Sequence, residues 1–147
     1  MSETARILQQ AARLIGTYGL HTGPQFAGLS ESFSSLHAPL DVCAAIYIAA
    51  EGKGPSVFQR DEDASLRLIE CSAPTMQAIR VLSNALDTEP PFIQITDDHT
   101  VAEYVQHVSR WASTPQFSDE QPPTEAEVIG RILRTADTLD APRALAA

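Results

Sequence analysis

Cysteine, tryptophan and basic side chains are all scarce in this chain of 147 residues: two Cys, one Trp and ten Lys plus Arg. Two thiols cannot build a multi-bridge framework, and Cys43 lies inside an apolar run where packing rather than bridging is expected. His21, His37, Cys43, Cys71, His99 and His107 show no Cys-x-x-Cys or His-x-x-x-His spacing, so no metal site is expected. The ten basic residues stand against nineteen Asp plus Glu, a formal charge of -9. Such an acidic chain is a poor match for nucleic acid or an anionic membrane surface, both of which are held by cationic side chains. Long apolar runs are missing too. The longest, residues 42 to 50, falls well short of the roughly 20 needed to cross a bilayer. Residues 1 to 13 carry Glu3, Arg6 and Arg13 and lack the continuous apolar stretch of a secretory signal, so a cytoplasmic location is expected. Gly16, Gly19 and Gly23 neither follow a strand nor open a helix, which removes a phosphate-cradling loop, and no cofactor is expected.

What is present is helical periodicity. With 44% hydrophobic residues, a chain of this length can bury about 70% of its unfolded surface around one core, so residues 1 to 147 are read as a single domain. Ile7, Leu8, Ala11, Leu14, Ile15 and Tyr18 recur at helical spacing over residues 3 to 18, with Ser2 as N-cap and Gly16 and Gly19 marking the end. Residues 20 to 39 hold Gly23, Pro24, Gly28 and a serine group without a sustained period, and read as a long loop: a flap, or a segment with a short helix near residues 30 to 36. Asp41 caps a helix running to Ala50 that has almost no polar face and must therefore be central. Gly52, Gly54 and Pro55 stop it.

Asp61, Glu62 and Asp63 place negative charge at the next helix start, where the macrodipole favours it. Ser72 and Pro74 restart a helix that continues through Leu86 to the Pro90-Pro91 stop. Residues 92 to 95 alternate, enough for one short extended segment and too little for a sheet. Thr100 with Glu103 and Thr124 with Glu127 read as capping boxes opening the last two helices, which share Ala102 and Ala126, Arg110 and Arg134, Ala112 and Ala136 in register. Two copies fall short of a solenoid. The tail from about residue 142 is expected to fray. The predicted fold is all-α: a compact bundle of five or six helices with one long loop.

Three segments carry a family resemblance: Tyr18-Gly19-Leu20 closing the first helix, the Cys43 helix over residues 42 to 50, and Phe117-Ser118-Asp119 followed by Pro122-Pro123-Thr124 and Glu127-Val128-Ile129. Together they resemble a family of small, uncharacterised actinobacterial helical proteins, a domain of unknown function. The chain departs from that family's pattern with Leu20 for Trp, Ala45 near the usual Gly, Phe117 and Ser118 for Trp and Asn, and Pro123 for Arg. The resemblance implies a helical fold and transfers no activity; of the family's polar turn this chain keeps Asp119.

Three polar groups are candidates for chemistry. Asp97, Asp98 and His99 together have the make-up of an acid/base site, because crowded carboxylates are pushed up in pKa and His titrates near neutrality; the competing reading is helix-entry charge favoured by the dipole. Glu103, His107, Arg110 and Trp111 project from neighbouring positions of one helix and can clasp an anionic or planar ligand, although an exposed ion-pair face is the expectation. His21, Gln25 and His37 on the long loop, with Phe26, Phe33 and Tyr47 as apolar walls, can line a ligand pocket or merely cover core. Cys43, among Val42, Ala44 and Ile46, is expected to pack as an inert thiol.

The leading functional expectation is a small acidic binding protein acting through a protein partner or as a homo-oligomer, because abundant apolar helical surface outweighs any catalytic motif. The alternative is a small-molecule enzyme or ligand-binding protein of actinobacterial specialised metabolism, with Asp97, Asp98, His99, His107 or Asp119 supplying acid/base groups. DNA mimicry rests on net charge alone and ranks last, since the acidic residues are scattered.

Overall fold

A computed structural model describes residues 2–29, 38–96, 99–114 and 121–140, without the side chains of residues 95, 96 and 99–102. The described residues form six α-helices, one 3₁₀ turn and a two-stranded sheet, an all-α architecture with a small hairpin attached. The first helix, α1 (Glu3–Tyr18), is capped by the Ser2 hydroxyl, which accepts from Ala5 N, and ends at Gly19 with φ +101°. Its inward stripe of Ala5, Ile7, Leu8, Ala11, Ala12 and Ile15 packs between α2 (Val42–Glu51) and α6 (Glu125–Asp140). As its composition demands, α2 is central: every residue from Val42 to Ile48 is buried. It stops at Gly52, whose left-handed φ of +76° lets its N–H close onto Ile48 O.

A 3₁₀ turn (Ser56–Gln59) leads into α3 (Glu62–Cys71), capped by Asp61, and α4 (Ala73–Ala85), capped by Ser72 with Pro74 in its first turn. The 3₁₀ turn serves as a hub. Phe58 is fully buried, with the Tyr47 ring edge-on to it at 5.3 Å and the Phe26 ring at 6.1 Å. Its carbonyl accepts from the N–H groups of both Phe26 and Ala27.

These bonds belong to a larger set that turns the described ends of the expected loop into a pinned strap. His21 N donates to Leu40 O, Leu40 N to Gly19 O, Gly28 N to Pro39 O and Asp41 N to Phe26 O, all within 2.8–3.0 Å. Leu40 thereby bridges Leu20 on one side and Ala27 on the other. The proposed short helix near residues 30 to 36, and the tail from about residue 142, lie outside the described residues.

Two expectations are corrected after α4. The extended segment has a partner: β1 (Phe92–Thr96) pairs antiparallel with β2 (His99–Ala102), Phe92 opposite Ala102 and Ile93 opposite Val101. Thr100 and Val101 therefore sit in a strand, and α5 begins later (Tyr104–Ser113) with Glu103 at its N-cap and no side-chain cap bond. The Thr100 box fails because the backbone it needs is engaged in the ladder, and Glu103 N donates to Pro91 O at 2.7 Å. The Thr124 box forms in full: Glu127 N donates to Thr124 Oγ1, and Thr124 N donates to Glu127 Oε1.

Candidate functional site

Asp41 is required as a cap and, because the helix it caps is buried, is carried inside with it at 8% exposure. Its Oδ2 accepts from Cys43 N at 2.8 Å and from the Ser109 hydroxyl of α5 at 3.0 Å. Burial raises the carboxyl from its ordinary 3.8 to about 6, against the lowering effect of the Cys43 N–H, the Ser109 hydroxyl and the nearby His21. Cys43 points its thiol at Val105 O, and burial beside the Asp41 charge pushes that thiol well above its ordinary value, which leaves it unreactive.

Above Asp41 opens a cleft of ≈ 510 Å³ whose walls come from the strap, the start of α3, the hairpin and α5. Phe26, Leu66 and Val105 provide apolar wall; Glu62, Asp63 and Glu103 add carboxylates; among the described residues Arg110 is the single cationic side chain in the lining. With the Gln106 amide oxygen turned toward it, the Arg110 guanidinium donates to that oxygen at 2.8 and 3.3 Å.

Gln25 completes the cleft and is unusual twice over. Among the described residues it is the one non-glycine with left-handed backbone, at φ +72°. Its amide oxygen is buried and has no hydrogen-bond partner among the described residues. Either feature costs stability, on the order of 1–3 kcal/mol each. The strap holds both in place through the Phe26 and Ala27 bonds to Phe58 O, which pin the residues that follow Gln25.

Of the residues singled out from sequence, Gln25, Phe26, Glu103 and Arg110 meet at this cleft, and His21 lies beside it with Nε2 bonded to Pro24 O at 2.7 Å. Tyr47 does not line it: the ring is buried on Phe58, because the continuous apolar face of α2 faces the core. His107 is also elsewhere, and the exposed ion-pair face expected of Glu103, His107 and Arg110 is corrected. The imidazole is buried, with Nδ1 2.6 Å from Ser83 Oγ and Nε2 2.7 Å from Thr88 Oγ1, and burial lowers its pKa. It borders a separate hollow of ≈ 330 Å³ with Arg110 and Trp111. The buried side of α5 is wider than its apolar stripe: His107 lies next to Val108 on the side that packs toward α4, where Ser83 meets it. Asp97, Asp98, His37 and Asp119 lie outside the described residues; of His99 the structure describes the strand backbone alone.

Sequence reasoning missed Asp41 and Ser109 as site residues. A signal for Asp41 was available, since the cap of a helix with no polar face has to be buried with it. Ser109 occupies an inward position of α5, four residues after Val105, where a hydroxyl inside an apolar stripe marks a polar contact. Among the described residues no set of three or more His, Cys, Asp or Glu side chains is arranged to hold a metal ion, and no helix is long and apolar enough to cross a membrane.

Residues 1–138 match the model of a family of unknown function, DUF6197. The chain belongs to this family. No curated protein and no solved structure matches it. Membership in a family of unknown function attaches no activity to the cleft.

Proposed function

We propose that the protein works by binding a small molecule in the cleft over Asp41. The observation that carries this reading is that two stability-costing features, a buried carboxylate and a strained Gln25 with an unpartnered oxygen, border the same hollow. Either is removable by one substitution, Asn for Asp41 or Gly for Gln25, so their presence in one concave site points to selection for something other than stability. The volume of ≈ 510 Å³ lies within the span of small-molecule sites, and an apolar wall with few polar groups is their usual make-up. Action through a protein partner or self-association draws less support, because α2, the apolar helix that motivated it, is buried in the chain's own core.

The test is a fragment library titrated into isotopically labelled protein and followed by NMR. Amide shifts should concentrate at Gln25, Phe26, Val105 and Ser109. They should vanish in Thr22→Trp, which places an indole at the exposed lip of the cleft. Shifts confined to other surfaces, or a concentration-dependent dimer in the ultracentrifuge whose interface covers these residues, would overturn the reading.

A further inference from the structure

Away from the cleft, the surroundings of His107 hold a second arrangement with chemical content. Its Nε2 lies 2.7 Å from Thr88 Oγ1 and its Nδ1 2.6 Å from Ser83 Oγ, so the ring stands between two hydroxyls. Burial obliges the imidazole to find both partners, and the fold supplies them. The two are not equivalent. Ser83 is buried inside α4, whereas Thr88 is an exposed residue beyond the end of that helix and lines the ≈ 330 Å³ hollow together with His107. A hydroxyl at hydrogen-bond distance from an imidazole whose other nitrogen is held by a third group is the arrangement that makes a nucleophile. With Nδ1–H donating to Ser83 Oγ, Nε2 keeps its lone pair and accepts from the Thr88 hydroxyl. Burial lowers the pKa of His107, which leaves the ring neutral at neutral pH and able to take a proton. Pro91 and Trp111 give the same hollow an apolar wall, and Arg110 brings positive charge, the sign that an attacked carbonyl oxygen calls for.

We propose that Thr88 is a nucleophile and His107 its general base in acyl transfer from small esters, with Ser83 as the positioning residue that fixes the imidazole. Thr88 Oγ1 attacks the ester carbonyl carbon and forms a C–O bond as its proton passes to His107 Nε2. The tetrahedral adduct then breaks the bond to the leaving oxygen, which takes that proton and departs as the alcohol. Thr88 is left esterified. Water repeats the sequence: it attacks the acyl carbon and gives a proton to Nε2, and that proton passes to Thr88 Oγ1 as the carboxylic acid leaves. No electrons are gained or lost, and water is the sole co-reactant. The proposal does not rest on the cleft over Asp41, so either can fail without the other.

The test treats the intact chain with p-nitrophenyl acetate and reads nitrophenolate release, intact mass and the site of acetylation by peptide mapping. One acetyl group is expected on Thr88. Its rate of formation should rise with pH through the folded pKa of His107, below the ordinary 6.5, and level off above it. Thr88→Val, at an exposed position outside the core, should abolish this acetylation, and Thr88→Ser should keep it. His107→Gln should slow it by about a hundredfold or more. Ser83→Ala should slow it on the order of tenfold, the scale of one lost hydrogen bond, and shift the His107 ring nitrogen signals, which a serine with no part in fixing the tautomer would not do. Should either core variant fail to fold, the wild-type chain carries the same test: long-range proton–nitrogen NMR should place the proton of neutral His107 on Nδ1 and none on Nε2. A proton on Nε2, nitrophenolate release as fast from Thr88→Val as from wild type, or no release above the buffer rate would each overturn the proposal. Acetyl groups confined to Lys53 or the exposed Cys71 would do the same.

Discussion

Asp41 and His107 are both ionisable side chains carried into the interior by helices, and the protein treats them in opposite ways. His107 is enclosed by Ser83 and Thr88, each of its nitrogens within 2.7 Å of a hydroxyl, so the neutral ring is fully matched. Asp41 borders a hollow, keeps a charge that burial disfavours, and shares that lining with Gln25, whose buried amide oxygen has no partner among the described residues. A satisfied buried group is explained by the fold alone. A carboxylate that stays raised in pKa despite its hydrogen bonds from Cys43 N and Ser109, and that lines a cleft, requires a further explanation, and the contrast within one chain shows that its polar interior is not uniformly ill-matched.

The comparison breaks if the two sites respond alike to truncation. His107→Ala should cost about 2–4 kcal/mol in urea denaturation, because it opens a cavity and strands the buried Ser83 hydroxyl. Asp41→Asn should do the reverse at neutral pH and stabilise by about 1–3 kcal/mol, since it keeps the cap and removes a charge whose folded pKa is raised. The sign follows from linkage. The folded chain holds a proton on Asp41 between its ordinary 3.8 and about 6, so stability from this group is full below that window and lost as pH rises through it. His107, lowered from its ordinary 6.5, contributes stability that is full above 6.5 and lost as the pH falls through its folded value. The advantage of Asp41→Asn over wild type should therefore grow across the window from pH 3.8 to about 6 and stay level above it. A variant destabilised at pH 8 would make the carboxylate a purely structural cap.

Smaller effects sharpen the contrast. Ser109→Ala removes a hydroxyl donor from the ionised carboxylate and should cost about 1–2 kcal/mol at pH 8, less at pH 4 where Asp41 is protonated, as read from denaturation midpoints at the two pH values. Gln25→Gly relieves left-handed strain and removes the orphan oxygen, and should raise stability by about 1 kcal/mol in thermal melts. A destabilised Gln25→Gly would show that the side chain's packing in the strap outweighs its strain.

The helices were legible because their signals are local. Ser2, Asp41, Asp61, Ser72 and Thr124 each bond a backbone N–H within a few residues, and the apolar stripes between them repeat at the helical period. The failed Thr100 box marks the limit of that reasoning. Thr100 and Thr124 open the same four-residue pattern, and what separates them is that residues 99 to 102 find a partner strand in residues 92 to 96, a pairing that capping chemistry does not register. The cleft was legible only at single points. Gln25 and Phe26 were picked out on the loop and Glu103 and Arg110 on the helix, each pair for its own neighbourhood, while the strap that brings Gln25 to the same lining as Asp41 depends on Phe58, more than thirty residues along the chain from Phe26.

Local chemistry in the chain thus decided where helices start and stop and that residues 42 to 50 lie at the centre, because caps and periodic stripes act over a few residues. Tertiary structure alone decided that Asp41, Gln25 and Ser109 share one hollow and that His107 does not. Ser109 lies far along the chain from Gln25 and Asp41, and their meeting depends on how the strap, α2 and α5 close around the same core.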